Sequence, residues 1–175
     1  MPIMKRGCTI KKLPLFIIAL LITSALFAQG EATVGFHNFA WGTSMDTFKA
    51  RMGNPVHTDV FNGFQSLIYE NVQVSGYQAF MVAFFSRSGL EGGTYYFDTK
   101  NIDELRQCYT TLQDELVLKY GPTLLHEAML REVRTYETSW NLSNGYIYLK
   151  VNTRGGDPVT LWYSSPSLTR ILNGS

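Results

Sequence analysis

The sequence predicts an α+β fold of two helix-plus-antiparallel-meander halves, with the helices packed on one side of the sheets. Two segments carry apolar residues at helical spacing, and each ends on a glycine with a proline close behind, at Gly53/Pro55 and Gly121/Pro122. Each is followed by strand-like segments separated by turn residues. This repeated order is compatible with a tandem repeat, although the halves do not match residue by residue.

The chain opens with the layout of a secretory signal peptide, which we predict over residues 1–28. An uncharged apolar run over 13–27 is followed by the small residue Ala28, and it is shorter than the roughly 20 apolar residues of a spanning helix. The basic residues before the run are Lys5, Arg6, Lys11 and Lys12. We expect an exported protein, periplasmic or extracellular, and an uncleaved membrane anchor is the alternative.

Removal of the signal would change the charge of the chain. It leaves 11 Lys and Arg against 14 Asp and Glu, a net charge of −3, so we expect no nucleic-acid partner, which would need clustered positive charge. Only Cys108 remains after cleavage, so a disulfide within the chain is excluded and stability must come from an apolar core. Contact with a membrane is expected only through an uncleaved signal.

The first half is predicted over residues 29–98. Its helix begins after Thr43 as N-cap, with Asp46 three positions on, and Met45, Phe48 and Met52 recur at helical spacing. Three strands are predicted over 64–70, 77–86 and 90–98, and a short edge strand over 56–61.

The second half is predicted over residues 99–175, and its helix has the stronger pattern. Asn101 is the expected N-cap, and Glu104 stands three positions on. Strands are predicted over 132–142, 146–153 and 158–164, with Asn144-Gly145 as the first turn because both residues tolerate a positive φ. Pro166 begins a last short helix or a tail. The apolar stripe of the helix is Ile102, Leu105, Tyr109, Leu112, Leu116 and Tyr120.

The strands of the second half alternate between aliphatic and aromatic positions. Ile147, Leu149 and Val151 should face the helix, which leaves Tyr146 and Tyr148 on the other face. The last strand adds Trp162 to that face, and Trp140 belongs to one face or the other. These four aromatics stabilise a half-exposed sheet through cross-strand pairs, are covered by the other half, or bind a protein or peptide.

Catalytic and metal-binding patterns are weak. Cys108 borders the apolar stripe of the second helix, which is typical of a small buried residue. His37, His57 and His126 are far apart and form no ligand motif, so we expect no metal site, no cofactor and no assigned catalytic residue. The alternative is an exported hydrolase or thiol enzyme that uses Cys108 with a histidine.

Two resemblances favour a binding role. Gly42, Ser44, Gly53 and Pro55, within residues 39–56, occupy the places of the Gly-x-Ser helix start and the Leu-Gly-x-Pro helix end of SmpA/OmlA-type envelope-assembly lipoproteins. The chain lacks the lipid-carrying cysteine of that family, so the resemblance does not imply attachment to the outer membrane.

The repeated helix and meander is similar to the β-lactamase-inhibitor-protein architecture, in which a concave sheet grips a partner protein. That likeness is one of layout, so it transfers no residue to this chain. We therefore predict an exported, non-enzymatic binding or envelope-assembly module that recognises a protein or peptide through sheet aromatics.

Overall fold

The structure, a computed structural model, describes residues 34–123, 125–130, 133–152 and 158–174, so the predicted signal peptide lies outside the described residues. The helices are α1 (Met45–Met52), α2 (Ile102–Tyr120) and α3 (Pro166–Leu172). The strands are β1 (Gly35–Phe36), β2 (Phe39–Ala40), β3 (His57–Phe61), β4 (Phe64–Val74), β5 (Tyr77–Ser86), β6 (Gly89–Phe97), β7 (Leu125–Leu130), β8 (Val133–Leu142), β9 (Gly145–Asn152) and β10 (Val159–Ser164).

The predicted α+β fold is confirmed, and its two meanders merge into one sheet. Eight strands pair antiparallel in the order β3-β4-β5-β6-β10-β9-β8-β7, so each half supplies four neighbouring strands. The halves join between β6 and β10, in a register that runs from Val159 opposite Phe97 to Ser164 opposite Gly92. β1 and β2 form a separate small hairpin. The strand β7 is not predicted by the sequence.

The first helix begins one residue later than predicted. Ser44, and not Thr43, is the N-cap, because the Ser44 hydroxyl accepts from the Thr47 N–H at 3.2 Å. Thr43 instead donates through Oγ1 to the Ala40 carbonyl, and its own carbonyl accepts from the Leu90 N–H. These bonds hold Thr43 against β6, so Ser44 caps the helix and the first helical residue is Met45.

The second helix follows the sequence prediction closely. Asn101 Oδ1 accepts from the N–H groups of Asp103 and Glu104, while the Glu104 carboxylate accepts from the Lys100 N–H. Tyr109 is fastened to β8 by a hydrogen bond of 2.5 Å between its hydroxyl and that of Thr138. The buried positions of α2 are Leu105, Cys108, Tyr109, Leu112 and Leu116.

Both α1 and α2 pack on the same face of the sheet, as predicted. The ring of Phe48 on α1 lies 5.3 Å from that of Phe85 and 6.1 Å from that of Tyr69. α2 packs over β9 and β10, where Ile147, Leu149 and Leu161 are buried. The hairpin β1–β2 joins this layer through Phe36 and Tyr95, whose ring centroids are 4.8 Å apart. This face of the sheet carries the apolar core.

The turn between β8 and β9 lies one residue before the predicted Asn144-Gly145. Leu142 pairs with Gly145, so Ser143 and Asn144 make the turn, and neither Asn144 nor Gly145 has a positive φ. Close packing, and not a positive φ, explains why a glycine occupies position 145. A Cβ at Gly145 would lie 2.9 Å from both the Ser164 carbonyl oxygen and the Val34 side chain.

Candidate functional site

The face of the sheet opposite α1 and α2 carries a field of aromatic side chains, which we call the aromatic face. Strand register places its members in rows that run across both halves. The first row is Val82, Thr94, Trp162, Tyr148 and Ser139. The second is Phe80, Tyr96, Thr160, Lys150 and Glu137, and the third includes Phe84, Gly92, Ser164, Tyr146 and Asn141.

Three of the four predicted site residues meet on this face. Trp162 is directly opposite Tyr148, and Tyr146 lies two positions before Tyr148 on β9, with the two tyrosine rings nearly parallel and 6.4 Å apart. Trp162 also packs on Phe84 of the first half, at 5.3 Å between ring centroids. All four side chains are half-buried, and the Phe80 side chain is 37% exposed. The aromatic face therefore spans the junction of the halves.

Trp140 lies on the opposite face, packed against the helices. It pairs with Ile147, is 3% exposed, and donates its indole N–H to the Gly121 carbonyl at 2.9 Å. The bond ties the end of α2 to β8. The geometry therefore removes Trp140 from the candidate surface and makes it a core residue.

Polar groups lie between the aromatic rings. Lys150 and Glu137 form an ion pair of 3.2 Å, and Tyr148 also hydrogen-bonds to Glu137. Burial raises the pKa of Tyr148, and the bond to Glu137 raises it further, so the phenol is neutral at neutral pH. Beside Trp162, the buried Thr94 hydroxyl has no hydrogen-bond partner among the described residues.

One end of the aromatic face is closed by α3. The side chain of Leu168 occupies the space where a Cβ at Gly92 would lie, on the side of the sheet away from Phe36. The carboxylate of Glu91 anchors this helix, since Oε2 accepts from the N-cap Ser165 at 2.5 Å and Oε1 accepts from Ser86 at 2.9 Å.

The groups predicted for thiol chemistry do not come together in the described part of the chain. Cys108 is fully buried on α2, and burial, followed by the charge of Glu104, raises its pKa to about 12. His37 bonds to the Tyr95 hydroxyl, and His57 is exposed on the edge strand β3. His126 belongs to β7, but its side chain lies outside the described residues.

The described residues contain no cluster of three or more His, Cys, Asp or Glu side chains able to hold a metal ion. No helix among them is long and apolar enough to cross a membrane.

A cavity of about 320 Å³ lies on the helix side of the sheet, between α2 and two hairpin turns. His37 and Asn38 of the β1–β2 turn and Ser75 of the β4–β5 turn form part of its wall, all with positive φ. Tyr95 and Tyr163 also line it. No pattern in the sequence predicts this cavity, because five separate segments build it and none carries a local motif.

The cavity holds several polar groups that stay uncharged. Burial raises the pKa of Tyr95 and that of Tyr163, with smaller contributions from Tyr163 on the first and from Tyr120 and Glu115 on the second. Burial, and then the positive charge of Arg51, lowers the pKa of His37. At neutral pH the wall therefore offers neutral phenols and a neutral imidazole for hydrogen bonding.

Comparisons with known proteins assign no family. No protein-family profile and no curated protein matches the sequence. Three solved structures match the chain at low similarity. An extracellular protein containing a SCP domain from Bacillus anthracis str. Ames is 8% identical, with a TM-score of 0.43, over 98% of this chain and 51% of that chain.

A cysteine-rich secretory protein from Staphylococcus aureus subsp. aureus Mu50 is 7% identical, with a TM-score of 0.43, over 71% of this chain and 44% of that chain. A DUF4309 family protein from Bacillus subtilis subsp. subtilis str. 168 is 10% identical, with a TM-score of 0.44, over 73% of this chain and 80% of that chain. The chain spans about half the length of the first two. The resemblances to SmpA/OmlA-type lipoproteins and to the β-lactamase-inhibitor-protein architecture stay predictions.

Proposed function

We propose that the protein is an exported binding module that recognises an extended polypeptide through the aromatic face. The observation that carries this proposal is the cluster of Trp162, Tyr148 and Tyr146, half-buried on the face of the sheet away from α1 and α2. Tyrosine and tryptophan supply large contact area at low cost in side-chain entropy and are enriched among residues that dominate binding energy.

The chemistry of the face suits a peptide better than a charged polymer. Aromatic rings offer apolar contact to the side chains of a partner, and Trp162, Tyr148 and Tyr146 are only half-buried. The charged groups of the second row, Lys150 and Glu137, are already paired with each other. A partner is therefore expected to present apolar side chains on an otherwise uncharged stretch of backbone.

The state of Cys108 supports binding over the thiol-enzyme alternative. A nucleophilic cysteine needs access and a thiolate form, whereas this thiol is fully buried with its pKa raised to about 12.

Paired variants test the proposal. Wild-type protein, the double variant Tyr148→Ala/Trp162→Ala and the control Leu118→Ala are used as bait in the envelope fraction of the exporting cell. Leu118 is an exposed apolar residue on α2. A polypeptide captured by wild type and by the control, and then purified, should bind the double variant at least about 30-fold more weakly, because the loss of even one hot-spot residue costs roughly 2 kcal/mol.

A second double variant separates binding from folding. Tyr148→Thr/Trp162→Thr keeps strand-forming residues at both positions and should retain cooperative unfolding. If either folded double variant binds the captured polypeptide as tightly as the wild type does, the aromatic face is not the binding surface.

A further inference from the structure

Two opposite charges flank the cavity between α2 and the hairpin turns without pairing. Glu115 and Lys119 are four residues apart on α2, in the orientation that favours an ion pair on a helix. The ion pairs among the described residues do not include this one. Glu115 instead accepts from the Ser75 hydroxyl at 2.5 Å, and Lys119 Nζ lies 5.0 Å from the centroid of the Tyr120 ring. Both charges remain exposed beside the cavity they line.

The lining of the cavity combines apolar side chains with a free hydroxyl. Leu112, Leu116 and Leu161, all buried, supply the apolar side chains. The Tyr163 hydroxyl makes no hydrogen bond to another described residue, whereas that of Tyr95 is bonded to His37 at 2.8 Å. A ligand can therefore bury a small apolar group and also hydrogen-bond to Tyr163.

We propose that this cavity binds a small zwitterion, an α-amino acid with an apolar side chain. Glu115 receives the ammonium group, Lys119 receives the carboxylate, and the leucines enclose the side chain. The volume of about 320 Å³ falls at the small end of the range for ligand pockets. A simple anion would be repelled by Glu115 and a simple cation by Lys119, while a zwitterion pairs with both.

Three matched ligands test this assignment. L-leucine carries both charges, 3-methylbutylamine is leucine without its carboxylate, and 4-methylpentanoate is leucine without its ammonium group. Each is titrated into the purified protein by calorimetry, and valine, isoleucine, methionine and phenylalanine extend the series. At least one of the five amino acids should bind, and its amine and acid analogues should bind at least about tenfold more weakly, because each lacks one charged contact.

Variants at the two charges locate the site. Glu115→Gln and Lys119→Met should each lower the affinity for the bound amino acid about tenfold or more. Asp114→Asn, at a neighbouring exposed position that does not line the cavity, should leave the affinity unchanged. Glu115 and Lys119 are exposed, so neither change disturbs the core. Tyr163→Phe should weaken binding further by removing the free hydroxyl.

Three results would overturn the inference. The first is that none of the five amino acids binds at ligand concentrations up to about 10 mM, the range of weak small-molecule affinity. The second is that an analogue with one charge binds as tightly as the amino acid. The third is that both charge variants retain full affinity. The inference does not rest on the aromatic face, so a loss of polypeptide binding in the Tyr148 and Trp162 variants leaves it untouched.

Discussion

The indole N–H of Trp41 donates to the backbone carbonyl of Asn144 at 2.8 Å, which joins the segment before α1 to the β8–β9 turn of the other half. Trp41 is half-buried beside the core. The bond therefore adds a further link between the halves to the β6–β10 pairing.

Replacing Trp41 should measure the strength of this link. Trp41→Phe keeps an aromatic ring and removes the donor, so we expect the free energy of unfolding to fall by about 1 kcal/mol. Trp162→Phe is the control, because the Trp162 indole makes no hydrogen bond to a described residue. Urea unfolding measures both variants, and equal losses would show that the Trp41 bond contributes nothing specific.

Glu91 should contribute to the stability of the fold by anchoring α3. Glu91 is 9% exposed and its carboxylate accepts from Ser86 and Ser165, so Glu91→Ala leaves two hydroxyls without their acceptor and loosens α3. We expect a loss of about 2–3 kcal/mol in the free energy of unfolding. Glu70→Ala, at an exposed position on β4, should change it by less than about 0.5 kcal/mol. Similar losses in the two variants would contradict the anchoring role of Glu91.

The Cys108 thiol should be inert in the folded protein. Its pKa is raised to about 12, so at pH 8 the folded protein holds it as the neutral thiol, which is also fully buried. Labelling of Cys108 with a thiol-specific reagent should be slow in buffer and fast in concentrated urea. Labelling at comparable rates in the two conditions would show that the Cys108 thiol is accessible in the folded protein and would favour the thiol-enzyme alternative.

His37 should make stability depend on pH. Because its folded pKa lies below the ordinary value of 6.5, the unfolded chain binds the proton more readily, and the free energy of unfolding falls as the pH drops below 6.5 towards the lower folded pKa. His37→Asn, which tolerates the positive φ at this position, should flatten the profile between about pH 7.5 and 5.5. His57→Asn, at an exposed position, should leave the profile unchanged. If the free energy of unfolding of the His37 variant depends on pH as steeply as that of the wild type, groups other than His37 cause the dependence.

Local patterns account for the parts of the fold that the sequence predicts well. The stripe of α2 and its cap at Asn101 depend on spacing within one segment, and both are confirmed. The strand β7 reads LHEAML, with no alternation of apolar and polar residues, so its pairing with β8 is visible only in three dimensions.

Among the candidate-site residues too, local patterns predict some positions, whereas others depend on how distant segments pair. Tyr146, Tyr148 and Trp162 follow simple alternation along β9 and β10, so their common face is predictable. The face of Trp140 depends on the register of β8 against β9, which the sequence does not determine. The cavity combines Glu115 and Lys119 with residues of two distant turns, so no single segment predicts it.

Site-specific photocrosslinking tests the central claim most directly. A photoreactive phenylalanine analogue is placed at Tyr148 on the aromatic face or at Leu118, which is 88% exposed on α2. Irradiation of cells that express the protein should join a discrete polypeptide to the protein labelled at position 148 and not to the protein labelled at 118. Equal products at both positions, or none at 148 in folded protein, would contradict binding through the aromatic face.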